Sequence, residues 1–194
     1  MNRMSGEQRR PQIAAAALKV IAEKGLSGFT TRSISQEVGL AEGTIFRHFE
    51  NKEDIVRAAI DLLENMLEED LSVACEGDPV QRLGRFVRRR VQLITENPGV
   101  VRILFSDELA RAGAAEDVVR IQRLKQRARS FIRECVQDAA AAGSLRRGLS
   151  PDLLPLIVQG AVLAVLFGAS KDDSESPPVS AESLWQTLEG LIFS

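Results

Sequence analysis

Apolar residues recur every three or four positions along most of the chain, and this spacing predicts amphipathic α-helices. The first predicted helix covers residues 8–24. Its apolar face is formed by Ile13, Ala17, Val20 and Ile21. Gly25 follows directly, and glycine readily takes the left-handed conformation that ends a helix. The chain therefore begins with one amphipathic helix.

Two short helices are predicted next. Thr30 is a suitable N-cap for a second helix, which Gly39 ends. A nine-residue third helix is predicted over residues 41–49, with Ile45 and Phe49 four positions apart and facing inward. Two short helices joined by a tight glycine-containing turn have the spacing of a helix-turn-helix motif. The second of them presents its small and polar residues outward.

Helical spacing continues to the end of the chain, and no segment shows the alternation of a strand. A long helix is predicted from residue 52 or 53 to about residue 75. The later predicted helices cover residues 83–94, 100–110, 118–142, 150–167 and 180–192. The sequence thus predicts an all-α protein of about nine helices.

The composition is that of a globular protein, with 44% hydrophobic and 27% charged residues. The net charge of -2 conceals blocks of opposite sign. Residues 1–52 contain 8 Lys and Arg against 5 Asp and Glu, whereas residues 53–78 contain 1 against 9. An acidic chain can therefore present a basic N-terminal surface, and its pI of 5.6 does not argue against binding nucleic acid.

Several classes of protein have little support. Cys75 and Cys135 lie far apart without metal-binding spacing, so neither a disulfide scaffold nor a metal site is expected. The polar N-terminus lacks the apolar segment of a signal peptide, which makes the cytoplasm the expected location. The apolar run at residues 153–169 contains Pro155 and Gln159 and is shorter than the ~20 residues of a membrane helix, so we expect a buried helix.

The first ~55 residues resemble the DNA-binding domain of the tetracycline-repressor (TetR) family. The resemblance rests on Thr30-Thr31-Arg32, Ile34, Val38-Gly39, Gly43-Thr44-Ile45-Phe46, His48-Phe49 and Asn51-Lys52, in the order and spacing of that family. The remaining chain is similar to it only in the number and length of its helices. The resemblance implies a helix-turn-helix domain at residues 1–52 and a larger helical domain for effector binding and dimerisation at residues 53–194.

The resemblance also implies which residues contact double-stranded DNA. The candidates for reading base edges are Arg32, Glu42, Gly43 and Thr44. The candidates for phosphate contact are Thr31, Phe46, Arg47, His48 and Lys52. Arg32 is the preferred base reader, because a guanidinium can bond both acceptors of guanine in one plane. Phosphate contacts position a protein on the duplex without selecting its sequence.

Four positions depart from the family pattern, and the mildest is Ser35, which replaces the usual small Ala and should still fit. Phe46 occupies the place of the usual Tyr, so no phenolic hydroxyl can bond a phosphate there. Ala41 replaces the usual capping Ser or Thr. Glu42 suits the start of a helix but repels phosphate, so it either accepts a hydrogen bond from cytosine or points away.

Residues of the larger domain are assigned by apolar pattern. The candidates for a pocket that takes an apolar or aromatic small-molecule effector are Val101, Leu104, Phe105, Leu109 and Phe131, although the same spacing is typical of ordinary core. The candidates for a homodimer interface are Gly160, Ala161, Ala164, Leu184, Trp185 and Leu188. Small residues let helices approach closely, which favours this assignment.

A run of arginines on one predicted helix has two interpretations. Its members are Arg82, Arg85, Arg88, Arg89 and Arg90. They could bind an acidic ligand such as a coenzyme A phosphate, or further DNA. The alternative is a solvated helix face with acidic neighbours, which is the ordinary origin of such a run.

The chemistry of the sequence does not favour an enzyme. His48 is the only histidine, and no Ser, Cys or Asp forms a recognisable catalytic constellation with it. No cofactor is implied. The expected function is that of a ligand-responsive transcriptional repressor that binds a palindromic operator as a homodimer. The alternative is a helical interaction or adaptor protein that keeps the motif without reading DNA sequence.

Overall fold

The computed structural model describes residues 6–25, 27–97, 115–168 and 180–194. These residues form eight helices: α1 (Gly6–Lys24), α2 (Thr31–Val38), α3 (Glu42–Ile45), α4 (Lys52–Val73), α5 (Pro79–Glu96), α6 (Ala115–Ala141), α7 (Leu154–Gly168) and α8 (Ala181–Ile192). The described residues contain no strand, and one isolated antiparallel bridge joins Leu145 to Phe193. The predicted all-α class is confirmed.

Most helix ends agree with the sequence pattern within a few residues. The predicted helix at residues 100–110 lies outside the described residues. The helix predicted from Ser150 begins instead at Leu154, because residues 151–153 form a turn in which the N–H groups of Leu153 and Leu154 bond the Ser150 carbonyl at 3.1 and 3.2 Å. The last helix begins after Ser180, whose hydroxyl accepts from Ser183 N at 3.0 Å.

Contacts between residues group the chain into two compact units. The first unit contains residues 1–66 and 97–123, and the second contains residues 67–96 and 124–194. The functional boundary between residues 52 and 53, which follows from the motif, stays a prediction. No helix among the described residues has the length and apolar character needed to cross a membrane.

The first unit has an apolar core built by its N-terminal helices. Helix α1 packs against α2, and α2 packs against α3. The fully buried side chains of this core include Ile13, Ile21, Phe29, Ile34, Ile45 and Ile60. The core therefore fixes α2 and α3 from behind and leaves their opposite sides available.

The second unit is centred on Trp185. Helix α5 packs against both α7 and α8, and Trp185 of α8 is 1% exposed. Gly84 of α5 makes this packing possible, since a Cβ there would lie 2.7 Å from Cε2 of the indole. Phe86 and Phe131 extend the core with ring centroids 5.3 Å apart.

Candidate DNA-binding surface

Helix α2 has a defined start and end. The Thr30 side chain accepts a hydrogen bond from Ser33 N at 3.0 Å, which satisfies one of the free N–H groups of the first turn. Gly39 takes φ +69° and its N–H bonds the Gln36 carbonyl, while Leu40 N bonds the Ser35 carbonyl at 2.9 Å. A left-handed glycine favours this C-terminal turn, so the chain is redirected sharply into α3.

Helix α3 is shorter than the sequence predicts. It covers Glu42–Ile45, whereas a helix over residues 41–49 was expected. Ala41 is the N-cap residue and provides no side-chain acceptor, and Gly43 is a poor helix former. The chain continues as turns beyond Ile45, with bonds from His48 N and Phe49 N to the Ile45 carbonyl at 2.9 and 3.0 Å.

The orientation predicted for this segment is confirmed. Ile45 is 0% exposed and Phe49 is 2% exposed, so both side chains lie in the core of the first unit. Glu42, Gly43 and Arg47 are exposed. Ile45 and Phe49 therefore attach the segment to the core of the first unit, and the side that carries Glu42, Gly43 and Arg47 faces solvent.

The four candidate base readers occupy two helices. Arg32 is exposed on α2, whereas Glu42, Gly43 and Thr44 belong to α3. Thr44 is half-buried, and its hydroxyl accepts from Arg47 Nη2 at 2.9 Å. No carboxylate of the described residues lies at ion-pair distance from Arg32, whose guanidinium is therefore available to a ligand. Base contacts by these four residues stay a prediction.

The candidate phosphate-binding residues lie along the edges of the motif. Thr31 is the first residue of α2, and Lys52 is the first residue of α4. Phe46 is 58% exposed, which is unusual for an aromatic side chain. The other two members of this group are the exposed Arg47 and the half-buried His48. All five stay predictions as phosphate contacts.

A phosphate bound by Lys52 would also lie near the free N–H groups at the start of α4, but local side chains compete for that position. Asn51 Oδ1 already accepts from Asp54 N at 2.8 Å, so one of the free N–H groups is used. Glu53 and Asp54 add negative charge to the first turn. Lys52 is exposed, and its Nζ lies 4.9 Å from the centroid of the Phe29 ring, which is within the range of a cation–π contact.

A hollow of about 430 Å³ lies beside the turn that follows α3. Its lining consists of Arg10, Phe46, Arg47, His48, Phe49, Glu50 and Asp54. Arg10 was missed by sequence reasoning, because it precedes the apolar positions of α1 and is 38 residues from His48. The adjacent arginines at positions 9 and 10 were the only signal.

The effector-pocket prediction is largely untested. Val101, Leu104, Phe105 and Leu109 lie outside the described residues. Phe131 is buried in the second unit, where it contacts Phe86. No group of three or more His, Cys, Asp or Glu among the described residues could hold a metal ion.

The arginine run of α5 is mostly paired with acidic side chains. Arg82 bonds Asp138 at 3.0 Å, and Arg88 bonds Glu182 at 2.5 and 3.1 Å. Arg89 and Arg90 approach the Asp70 carboxylate at 3.2 and 3.5 Å. This arrangement favours the interpretation of a helix face with acidic neighbours.

One of these pairs is buried. Arg90 is 8% exposed and Asp70 is 3% exposed. Burial lowers the pKa of Arg90 to about 10, an effect that Asp70 partly offsets. Burial raises the pKa of Asp70 above its ordinary value, against the opposing effect of Arg90 and Arg89. Each charge therefore depends on the other for its stabilisation inside the second unit.

The residues proposed for a dimer interface fall into two groups. Trp185 and Leu188 are buried within one chain, at 1% and 4% exposure, so their burial needs no partner. Sequence pattern alone could not reveal that α5 covers them. Gly160 and Ala164 are exposed on α7, and Ala161 and Leu184 are half-buried. The interface itself stays a prediction.

Two family profiles match the chain. Residues 13–59 match the bacterial regulatory proteins of the tetR family, and residues 79–169 match the tetracyclin repressor-like C-terminal domain. Among curated relatives, the HTH-type transcriptional repressor DhaR of Mycobacterium sp. (strain GP1) is 29% identical over 173 residues, covering 84% of this chain and 85% of DhaR. Nucleoid occlusion factor SlmA of Marinomonas sp. (strain MWYL1) is 26% identical over 163 residues, which cover 82% of this chain and 80% of SlmA.

Solved structures share the fold. The structure of AibR in complex with isovaleryl coenzyme A and operator DNA superimposes with a TM-score of 0.74 at 22% sequence identity. The superposition covers 95% of this chain and 98% of AibR.

Proposed function

Because the chain belongs to the tetR family of bacterial regulatory proteins and is a DNA-binding transcriptional regulator, we propose that it acts as a homodimeric repressor that leaves its operator when a small molecule binds. The observation that carries this proposal is the exposed side of α2 and α3, which is held from behind by the buried Ile45 and Phe49. We also propose a cytoplasmic location, because bacterial DNA lies there.

On this proposal Arg32 reads guanine, and Thr44, Gly43 and Glu42 lie against neighbouring base edges. The exposed guanidinium of Arg32 supports its role, because no described carboxylate competes for it. A bidentate contact of this kind contributes about 1–3 kcal/mol of discrimination between bases. Arg47 and Lys52 position the motif by contacting phosphates.

Dimerisation through α7 and α8 would present two motifs to successive major grooves, about 34–36 Å apart along the duplex. The support is an exposed apolar stripe that was not singled out from sequence. Leu153, just before α7, and Leu156 and Ile157 on it are 57%, 64% and 54% exposed, and Leu191 of α8 is 63% exposed. Gly160 and Ala164 continue the stripe with small residues that permit close helix approach.

The effector is proposed to be a small molecule with an apolar or aromatic part. The name of the AibR complex pairs operator DNA with an acyl coenzyme A, which supports an effector of that broad kind. An effector can change DNA affinity only if it binds the two arrangements of the protein unequally. Helix α4 begins beside the motif and ends in the second unit, so it is the proposed connection.

The proposal is tested by selection from random duplex DNA with the purified protein. A homodimeric repressor enriches an inverted repeat with half-sites about one helical turn apart. Retention of no sequence above background at low salt contradicts the proposal and favours a helical interaction protein, for which the exposed Phe46 would be a contact. Mass spectrometry of gently purified protein then identifies a bound small molecule and provides the candidate effector.

A further inference from the structure

We propose that Arg10 of α1 is a positioning residue for DNA recognition, because its guanidinium holds the turn that follows α3. The inference rests on the proposed function and extends it to a residue outside the helix-turn-helix motif. In this role Arg10 sets the orientation in which α3 meets the base edges, and it does so through His48 and Phe49.

The need for such a residue follows from the weakness of α3. A helix of four residues is far below the ~12–15 that an isolated helix needs for marginal stability in water. Its N-cap, Ala41, makes no side-chain hydrogen bond. At its other end the backbone passes into turns over residues 46–49. The orientation of α3 therefore depends on contacts made by its flanking residues.

Arg10 makes two such contacts with one planar group. Its Nη1 donates a hydrogen bond to the His48 carbonyl, and its guanidinium carbon lies 4.3 Å from the centroid of the Phe49 ring. That distance is within the ~6 Å limit of a cation–π interaction. Because Phe49 is 2% exposed and lies in the core, Arg10 links the backbone of the turn at His48 to a buried side chain.

Among the residues whose side chains the structure describes, no carboxylate lies at ion-pair distance from Arg10. Glu50 and Asp54 line the same hollow, and their negative charges oppose the entry of a DNA phosphate there. A lysine could not replace Arg10 in this geometry. Its ammonium lacks the flat face that stacks on a ring while an N–H in the same plane reaches a carbonyl.

The rival explanation is that Arg10 contacts a phosphate directly. The two explanations differ in their dependence on charge and salt. A phosphate contact depends on positive charge, acts on all sequences alike and contributes ~0.9 to the slope of log affinity against log salt. A positioning role depends on the planar guanidinium, acts on specific binding above all and leaves that slope unchanged when the charge is kept.

The experiment measures affinity for the selected operator and for a scrambled duplex over a range of salt concentrations. The variants are Arg10→Lys, Arg10→Gln and the matched control Arg9→Gln. Arg9 is the neighbouring arginine of α1, and its side chain bonds only Gln12 among the described residues, at 2.8 Å. Far-UV circular dichroism and the thermal unfolding midpoint accompany each variant, because a loss of fold would lower affinity for both duplexes.

We expect Arg10→Gln, which loses both the charge-assisted hydrogen bond and the cation–π contact, to lower the operator-to-scrambled affinity ratio about tenfold. Arg10→Lys, which can keep only one of the two contacts, should lower the ratio by a smaller factor. The salt slope of Arg10→Lys should equal that of the unsubstituted protein, and Arg9→Gln should keep the ratio. The inference is overturned if Arg10→Lys keeps the ratio, or if Arg10→Gln weakens both duplexes equally with a smaller slope. Failure of the unsubstituted protein to prefer any operator contradicts the proposed function instead.

Discussion

The arginines of α5 and the cations around α2 and α3 are in opposite electrostatic situations. Arg82, Arg88 and Arg89 lie 3.0, 2.5 and 3.2 Å from carboxylates. Arg32 and Lys52, in contrast, have no carboxylate of the described residues at ion-pair distance. Positive charge is therefore held by carboxylates in the α5 run, whereas at Arg32 and Lys52 no carboxylate of the described residues competes with an anionic partner.

The difference also explains why net charge says little about function here. An acidic ligand at α5 would have to displace carboxylates that already bond the guanidinium groups, whereas a phosphate at Arg32 displaces no carboxylate of the described residues. Arg85 is the exception in α5, since no carboxylate of the described residues lies at ion-pair distance from it. Its Nε and Nη2 are buried and have no hydrogen-bond partner among the described residues. Substitutions in the two regions should therefore have different effects, on folding in α5 and on DNA binding at Arg32.

The largest effect is expected from removing the buried carboxylate of the second unit. Asp70→Ala leaves Arg90 buried without a counter-charge and should lower the free energy of unfolding by about 3–5 kcal/mol. The matched control is Glu69→Ala, because the Glu69 side chain is 72% exposed and lies 3.7 Å from Arg89. Glu69→Ala should lower the free energy of unfolding by less than about 1 kcal/mol.

Urea unfolding measures both variants, and thiol labelling adds a local readout. Burial raises the pKa of Cys135 to about 11, so this thiol should react only when the second unit opens, whereas the exposed Cys75 reacts in the folded protein. Asp70→Ala should accelerate labelling of Cys135. If the two variants have equal stability, the α5 arginines are not structural and the comparison is wrong.

A smaller effect, on DNA rather than on folding, is expected at Arg32. Arg32→Ala should reduce discrimination at one base position of the operator by about 1–3 kcal/mol. The stability of the fold should change by no more than about 0.5 kcal/mol, since Arg32 is exposed. Binding to single-base variants of the operator measures the effect.

The control for Arg32→Ala is a substitution in the arginine run of α5. Arg88→Ala breaks the bonds to Glu182 and the contact with the Trp185 ring, whose centroid is 5.5 Å from the guanidinium carbon. It should lower stability and leave the base preference unchanged. Equal loss of base preference in both variants would show that Arg32 acts through folding and not through a base contact.

The sequence predicted well whatever depends on neighbours along the chain. Helical periodicity identified the elements, and Thr30 and Gly39 were correctly expected to begin and end α2. Ile45 and Phe49 were correctly expected to face inward, although Phe49 lies beyond the end of α3 and not on the helix whose four-residue spacing suggested it. These features are decided within a few residues, and local spacing therefore reveals them.

Features that depend on distant partners were not predictable in the same way. Arg88 and Glu182 are 94 residues apart, so the charge pattern of α5 could not identify its partner. The burial of Trp185 depends on the space that Gly84 leaves on another helix. The length of α3 was overestimated because apolar spacing continues to Phe49, although Ala41 and Gly43 weaken the helix.

A gain in DNA affinity is expected from restoring a hydroxyl at position 46. Phe46 is 58% exposed, so Phe46→Tyr adds a donor at the surface without disturbing the core. A hydrogen bond to a DNA phosphate should tighten operator binding by about 0.5–1.5 kcal/mol. The control Phe46→Leu keeps an apolar side chain without a hydroxyl. Operator titrations measure the effect. If the Phe46→Tyr variant binds the operator no more tightly than the unsubstituted protein, position 46 lies away from the phosphate backbone of the duplex.

The smallest effect is expected at the start of α3, where a cap is absent. Ala41 has φ -70° and ψ 144°, the extended conformation of an N-cap residue, so Ala41→Ser can accept from a free N–H of the first turn without backbone change. The expected gain in the free energy of unfolding is about 0.5–1 kcal/mol. Operator affinity should also rise, because an ordered α3 loses less conformational freedom on binding.

The converse change, Thr30→Ala, removes the existing cap of α2 and should lower the free energy of unfolding by a similar amount. Thermal unfolding and operator titration of the two variants measure both quantities. If Ala41→Ser raises stability without raising affinity, α3 is already ordered in the free protein, and the weak point of the DNA-binding surface lies elsewhere.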